Sequence, residues 1–165
     1  MKPKIAISAC LLGQNVRYDG TDKLQADLVA FLKEHAEIIP VCPETECGLG
    51  VPREPMRIEK GEGGDQLVII KSGVSLTQQM TGWIPGKLDE LARVGIRGCI
   101  LKARSPSCGV KDTPVFYMDG TPIEKGPGFF TRALQEQFPD LIIRTEEELQ
   151  AEEERKSFLK QVLGN

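Results

Sequence analysis

The sequence predicts an α/β protein: a single three-layer domain with a mostly parallel, Rossmann-like sheet flanked by helices. Three observations lead there. Short apolar runs of strand length alternate with longer stretches of helical period along the chain. Such alternation joins successive strands through helical crossovers, which makes a sheet parallel. The length of 165 residues suits one domain with a core of ordinary size, taken here as 1–165.

The elements follow in order. "KIAISAC" (4–10) is an apolar run ending in small residues and reads as a buried strand. "LLGQNVRYDG" (11–20) reads as a loop. Within 22–35, Leu24, Leu28, Phe31 and Leu32 form a helical stripe. "EIIPVC" (37–42) is the second strand, although Pro40 is awkward in a central position. A Gly/Pro-rich loop fills 43–55. "MRIEK" (56–60) and "QLVIIKS" (66–72) flank "GEGG" and predict a β-hairpin. Residues 75–95 read as a helix interrupted at "GWIPG" and stopped by Gly95. "IRGCILKAR" (96–104) is the third buried strand. The stretch 109–128 is turn-rich, with "MDGT" a hairpin turn. A helix at 129–138 and a fourth strand at 141–145 follow. Residues 145–165 form a C-terminal helix with Thr145 as N-cap and acids in its first turn.

Composition narrows the function. The net charge of -3 provides no global basic field, so a large nucleic acid is not the expected partner. No stretch reaches membrane-span length, and the N-terminal apolar run is too short for a secretion signal, so the expected location is cytoplasmic. The five cysteines are odd in number and do not suggest a disulfide framework; in a reducing compartment they suggest metal binding or thiol chemistry. The one histidine, His35, has charged neighbours on a helix and reads as a solvated side chain. Zinc hydrolase and Ser-His-Asp schemes therefore lack raw material.

Cys10 closes the first strand, Cys42 closes the second and Cys108 lies just beyond the third. Open parallel sheets bind ligands in the crevice outside the carboxyl ends of their strands. Three thiols distant in sequence are thus expected at one sheet edge. Zinc would want a fourth ligand and a catalytic thiol would want a base. A [4Fe–4S] cluster normally takes four cysteines; held by three, it keeps one iron open. Cys99, in mid-strand, reads as a packed thiol.

The blocks "ISACLLGQNVRYDG", "VCPETECGLGVPREPMR" and "LKARSPSCG" resemble, in order and spacing, the signature blocks of the TudS-like thiouracil desulfurases. The likeness runs to about residue 145. It implies a [4Fe–4S] cluster bound by Cys10, Cys42 and Cys108, with one open iron that takes sulfur from a thiolated uracil. It also implies catalytic roles for Glu44, as general base toward water, and for Ser105. Ser107 shares the Ser105 loop. Asn15, Arg17 and Tyr18, together with Arg53, Lys102 and Arg104, are expected around the substrate, where the cations would suit a phosphate. Glu44 also reads as a loop carboxylate paired with Arg53 or Arg57. Cys47 stands as an alternative ligand, a sulfur relay or a packed thiol.

The expected activity is hydrolytic desulfuration of a small thiolated base or nucleotide, with sulfide released, by a monomer or weak homodimer without membrane attachment. Two other classes fit the same cysteines. One is a metal-free persulfide or sulfur carrier using Cys42 and Cys47. The other is an iron–sulfur binding module without catalysis.

Overall fold

The computed structural model describes residues 1–164; Asn165, the last residue of the expected C-terminal helix, lies outside the described residues. Four parallel strands form the central sheet: β1 (Lys4–Ser8), β2 (Glu37–Val41), β5 (Gly98–Leu101) and β8 (Ile142–Thr145), in the order β2-β1-β5-β8. Successive side chains of a strand point to opposite faces, and the sequence is apolar for both. Ile5, Ile7 and Ile100 pack on one side with Leu28 and Leu32 of α1 (Ala26–His35) and Phe158 and Val162 of α5 (Glu152–Val162). Ala6, Cys99, Leu101 and Ile143 pack on the other with α3 (Thr77–Val94) and α4 (Phe129–Gln137), through Met80, Leu88, Leu91, Phe130 and Leu134. These are the three layers the sequence predicts.

A second sheet was not foreseen as one unit. The hairpin of β3 (Met56–Gly61) and β4 (Gly64–Ile69) meets the hairpin of β6 (Thr113–Phe116) and β7 (Pro122–Gly126) in the order β4-β3-β6-β7. The join is a short parallel pairing, Ile58 with Val115 and Glu59 with Phe116. Leu67 ties this sheet to the main core.

Several expected elements differ in detail, the third strand among them, which is shortened to Gly98–Leu101. The first strand stops at Ser8, and Ala9–Leu12 form a 3₁₀ turn. Helix α1 begins at Ala26 because Lys23 and Gln25 donate to the carbonyls of Cys10 and Leu11, and the Asp22 carboxylate accepts from the Leu24 N–H, holding that segment as a turn. The "GWIPG" segment does not interrupt α3: Pro85 and both glycines face solvent, while Ile84 and Leu88 continue the buried stripe, and Gly95 ends the helix in the left-handed region. The C-terminal segment splits. The capping box of Thr145 and Glu148 opens a 3₁₀ turn, Glu146–Leu149, and α5 follows. Pro40 stands in β2 without harm because β2 is an edge strand.

Among the described residues, no helix is long and apolar enough to cross a membrane. Phe158 is only 2% exposed and anchors α5 to β1 and β5. Replacing it with alanine is expected to cost about 3–5 kcal/mol, read as a lower denaturation midpoint in urea.

Candidate active site

The neighbours β2, β1 and β5 run parallel, so their chains leave the sheet at the same edge. Beyond β1, the 3₁₀ turn carries Cys10. Beyond β2, Cys42 is the N-cap of the short helix α2 (Pro43–Glu46), with Pro43 at the first helical position. Beyond β5, the loop Lys102–Cys108 folds back over the same edge. A cavity of about 430 Å³ opens there, with Cys10, Cys42 and Cys108 all in its wall.

Glu44, Ser105, Ser107, Arg17, Tyr18, Arg53, Lys102 and Arg104 also line this cavity, so the structure gathers every expected site residue except Asn15. Asn15 is exposed on the loop after the 3₁₀ turn and does not line the cavity. Ser8, Lys23 and Met56 line it and were not anticipated. Ser8 stands in the block "ISACLL", where the cysteine draws the attention, and Lys23 in "TDKL" belongs to no motif; only the strand-end rule, applied to the whole first loop, marks both.

Glu44 joins two of the three loops. Its Oε1 accepts from Arg53 Nε at 2.9 Å and Nη2 at 2.8 Å. Its Oε2 accepts from the Ser107 hydroxyl at 2.8 Å. The pairing with Arg53 read as an alternative for Glu44 is thus present, and the carboxylate still faces the cavity. Arg53 reaches further, to the carbonyls of Gly50 and Val16, while its own N–H donates to the Tyr18 carbonyl at 2.7 Å. One guanidinium therefore fixes Glu44 and the Val16–Tyr18 loop together.

Proton counting orients the serines. Ser107 has one hydroxyl hydrogen, and the Glu44 carboxylate can only accept it. The contact of 3.1 Å between the Ser105 and Ser107 hydroxyls then has Ser105 as donor. Ser105 Oγ also accepts the N–H groups of Ser107 at 3.2 Å and Cys108 at 3.1 Å. Ser105 thus shapes the loop, and Ser107 is the hydroxyl next to the carboxylate.

The loop is clamped from the other side. Phe129 and Phe130 at the start of α4 donate to the carbonyls of Pro106 and Ser107, and Thr131 Oγ1 donates to the Cys108 carbonyl at 2.8 Å. Gly128 makes this approach possible, since a Cβ there would lie 2.5 Å from the Ser107 carbonyl carbon.

Burial dominates the thiols. It pushes Cys10 up to about 11, against the pull of the Lys102 ammonium. It pushes Cys108 further still, with the Ser8 hydroxyl opposing. Cys99, on β5 in the core, goes up to about 12 from burial alone. Cys47 is half-buried; its thiol donates to the Glu44 carbonyl at 3.5 Å and its chain packs on the core. Burial, then the Glu44 charge, pushes it up to about 11. Cys47 is absent from the cavity wall given by the other three thiols and has the surroundings of a packed group.

The cations divide in two. Lys102 is ion-paired to the buried Glu146 at 2.9 Å, Arg53 to Glu44 and the exposed Arg104 to Glu147. Arg17 and Lys23 make no ion pair among the described residues; Arg17 lies over the Tyr18 ring at 5.7 Å. Arg104 has the left-handed φ of 63° and is held by Asp112, which accepts its N–H at 2.9 Å.

Soft thiol donors in an enclosed wall, with no histidine or unpaired carboxylate among them, fit an iron–sulfur group better than a hard cation. The molecule is thus an α/β protein with a thiol-lined cavity at the carboxyl edge of a parallel sheet. The sequence model of the 2-thiouracil desulfurase family matches residues 5–147, and the chain belongs to that family. It is similar to a solved structure, the [4Fe–4S]-dependent thiouracil desulfidase TudS, with 32% identity, 90% of this chain and 93% of that chain covered, and a TM-score of 0.73. It is also 31% identical, over 64% of its length and 72% of the relative's, to the uncharacterized protein YbbK of Bacillus subtilis (strain 168).

Two outcomes follow from this geometry. Gly128→Ala should displace the Ser105–Cys108 loop and lower turnover by about tenfold or more, since small misplacements at a reacting centre are costly, with far-UV circular dichroism unchanged. In the metal-free protein, Cys47 should be alkylated at pH 8 about 100-fold more slowly than an unstructured thiol, because its pKa rises from 9.0 to about 11. The rate should climb roughly tenfold per pH unit toward that value, as followed by mass spectrometry.

Proposed function

We propose that this protein is a [4Fe–4S]-dependent desulfidase that converts a thiolated uracil, as base or nucleotide, to its oxo form and releases sulfide. The observation that carries the reading is the convergence of Cys10, Cys42 and Cys108 on one cavity that also holds Glu44 and Ser107. Family membership and the likeness to TudS point the same way.

Cys10, Cys42 and Cys108 would hold the cluster. It would supply a soft Lewis acid for the thiocarbonyl sulfur, making the adjacent carbon more electrophilic. Glu44 then takes the proton of the water that adds at that carbon. Arg53 saturates Oε1, and Ser107 uses one lone pair of Oε2, so the free lone pair of Oε2 is the proton-accepting position. Ser107 keeps that oxygen turned to the cavity, and Ser105 supports it by donating to Ser107 and bracing the loop. Of the rim cations, Arg17 and Lys23 are uncommitted and supply the charge for an anionic group on the substrate, which favours a nucleotide. Tyr18 offers a ring face beside them.

A metal-free persulfide carrier built on Cys42 and Cys47 would need activated thiols, and burial pushes Cys47 in the opposite direction. A binding module without catalysis would have no use for the ordered Ser105–Ser107–Glu44 chain. The reading includes a small-molecule substrate, a cytoplasmic location and a monomer or weak homodimer, with residues 1–165 acting as one domain.

The test is anaerobic reconstitution followed by sulfide release from 2-thiouracil, 4-thiouracil and their nucleotides. Wild type should bind about four irons per chain, as a [4Fe–4S] centre requires, and turn over at least one of these. Cys10→Ala, Cys42→Ala and Cys108→Ala should lose the iron, whereas Cys47→Ala keeps it. Glu44→Gln should keep the iron and lose turnover by about 10²-fold or more, the ordinary worth of a positioned base. A wild-type protein that takes up no iron overturns the reading.

A further inference from the structure

The parallel register of β5 and β8 pairs Leu101 with Thr145. The next residues on each chain, Lys102 and Glu146, therefore leave the sheet side by side. The Glu146 side chain is 5% exposed. Its Oε1 accepts the Ala103 N–H at 2.7 Å and its Oε2 the Lys102 ammonium at 2.9 Å. Lys102 Nζ donates as well to the Ala103 carbonyl at 3.1 Å, and the Lys102 N–H donates to Ser8 Oγ at 2.9 Å. Every lever on this lysine is fixed, at a cavity wall it shares with Cys10.

A buried ion pair contributes little to stability beyond what apolar side chains of the same volume would. This one is oriented. Lys102 lines the cavity with Cys10 while Glu146 does not, so the ammonium end of the pair stands on the thiol side and the carboxylate behind it. Three thiolates in one cavity accumulate negative charge, and Lys102 is a cation fixed at their wall by a buried partner, whereas Arg53 is turned to Glu44 and Arg17 and Lys23 have no ion-pair partner among the described residues to hold them. Net charge and surrounding polar groups set the potentials of iron–sulfur groups.

We propose that Glu146 is a positioning residue: by holding Lys102 Nζ at the Cys10 side of the cavity, it sets the reduction potential of the iron–sulfur group that the three thiols bind. The inference rests on the cluster reading above.

The pair makes a signed test possible. Holoprotein is reconstituted without oxygen for wild type, Lys102→Met, Glu146→Gln and the double variant Lys102→Met/Glu146→Gln. Iron per chain is counted, and the potential is read by redox titration with electron paramagnetic resonance. Removing the cation should shift the potential downward. Glu146→Gln should shift it the same way, by a smaller amount, because the ammonium loses the group that holds it. The double variant should lie at or above Lys102→Met, since no ammonium is left to place. Where Lys102→Met alone loses iron because Glu146 is left buried without its partner, Glu146→Gln against wild type still decides the sign. A Glu146→Gln potential that equals wild type, or rises as loss of an anion alone would make it, overturns the positioning role while leaving the cluster reading intact. Wild type that binds no iron overturns both.

Discussion

The site depends on one directional constraint, the parallel pairing of β2, β1 and β5. Parallel strands all release their chains at the same edge. Three cysteines far apart in sequence therefore need no local motif to meet; each has only to follow its strand closely. The price is long-range order, because the register of Ile5 with both Ile38 and Gly98 must form before any two of these loops are neighbours. The buried isoleucines of β1 that fix this register also fix the cavity.

On that frame, hydrogen bonds between loops do the finer positioning. Glu44 comes from the second loop and Ser107 from the third, and their bond closes the cavity from one side. Arg53 brings in the first loop through Val16 and Tyr18. A comparable device holds the second ligand: Glu46 accepts the Cys42 N–H at 2.8 Å while Lys87 of α3, only 7% exposed, bonds Glu46 at 2.9 Å. The Cys42 loop thus carries two acids each paired with a cation, Glu44 with Arg53 of the same loop and Glu46 with Lys87 of α3, and Glu44 extends the hold to the Cys108 loop. Glu44, with its side chain 12% exposed, is tolerated there because a guanidinium and a hydroxyl answer its charge.

Much of this was legible in the sequence. The apolar runs of β1, β5 and β8 marked the central sheet, and strand ends marked the cysteines. What stayed hidden has physical reasons. The second sheet closes through two residue pairs between β3 and β6, which no local pattern encodes. Pro85 sits in a continuous helix because tertiary packing of Ile84 and Leu88 outweighs its propensity. Asn15 was placed by proximity to Cys10 in sequence, but the loop carries it into solvent. Arg104 and Lys102 looked like free cations until Glu147 and Glu146 were seen to answer them.

Glu146 is the instructive omission. It opens the run "EEEL", which reads as a solvated helix face, and nothing distinguishes the first acid of that run from the next. Yet β8 is the parallel neighbour of β5, so the residue after its end reaches the same edge as the cysteine loops. The rule that gathered three thiols gathers Glu146 as well, once the fourth strand is included. Its burial then follows from place rather than composition: Glu147, one residue later, is half exposed and pairs with Arg104 at the surface, whereas Glu146 is enclosed with Lys102. In a charge run, the residue at the strand end is the one that the fold turns inward.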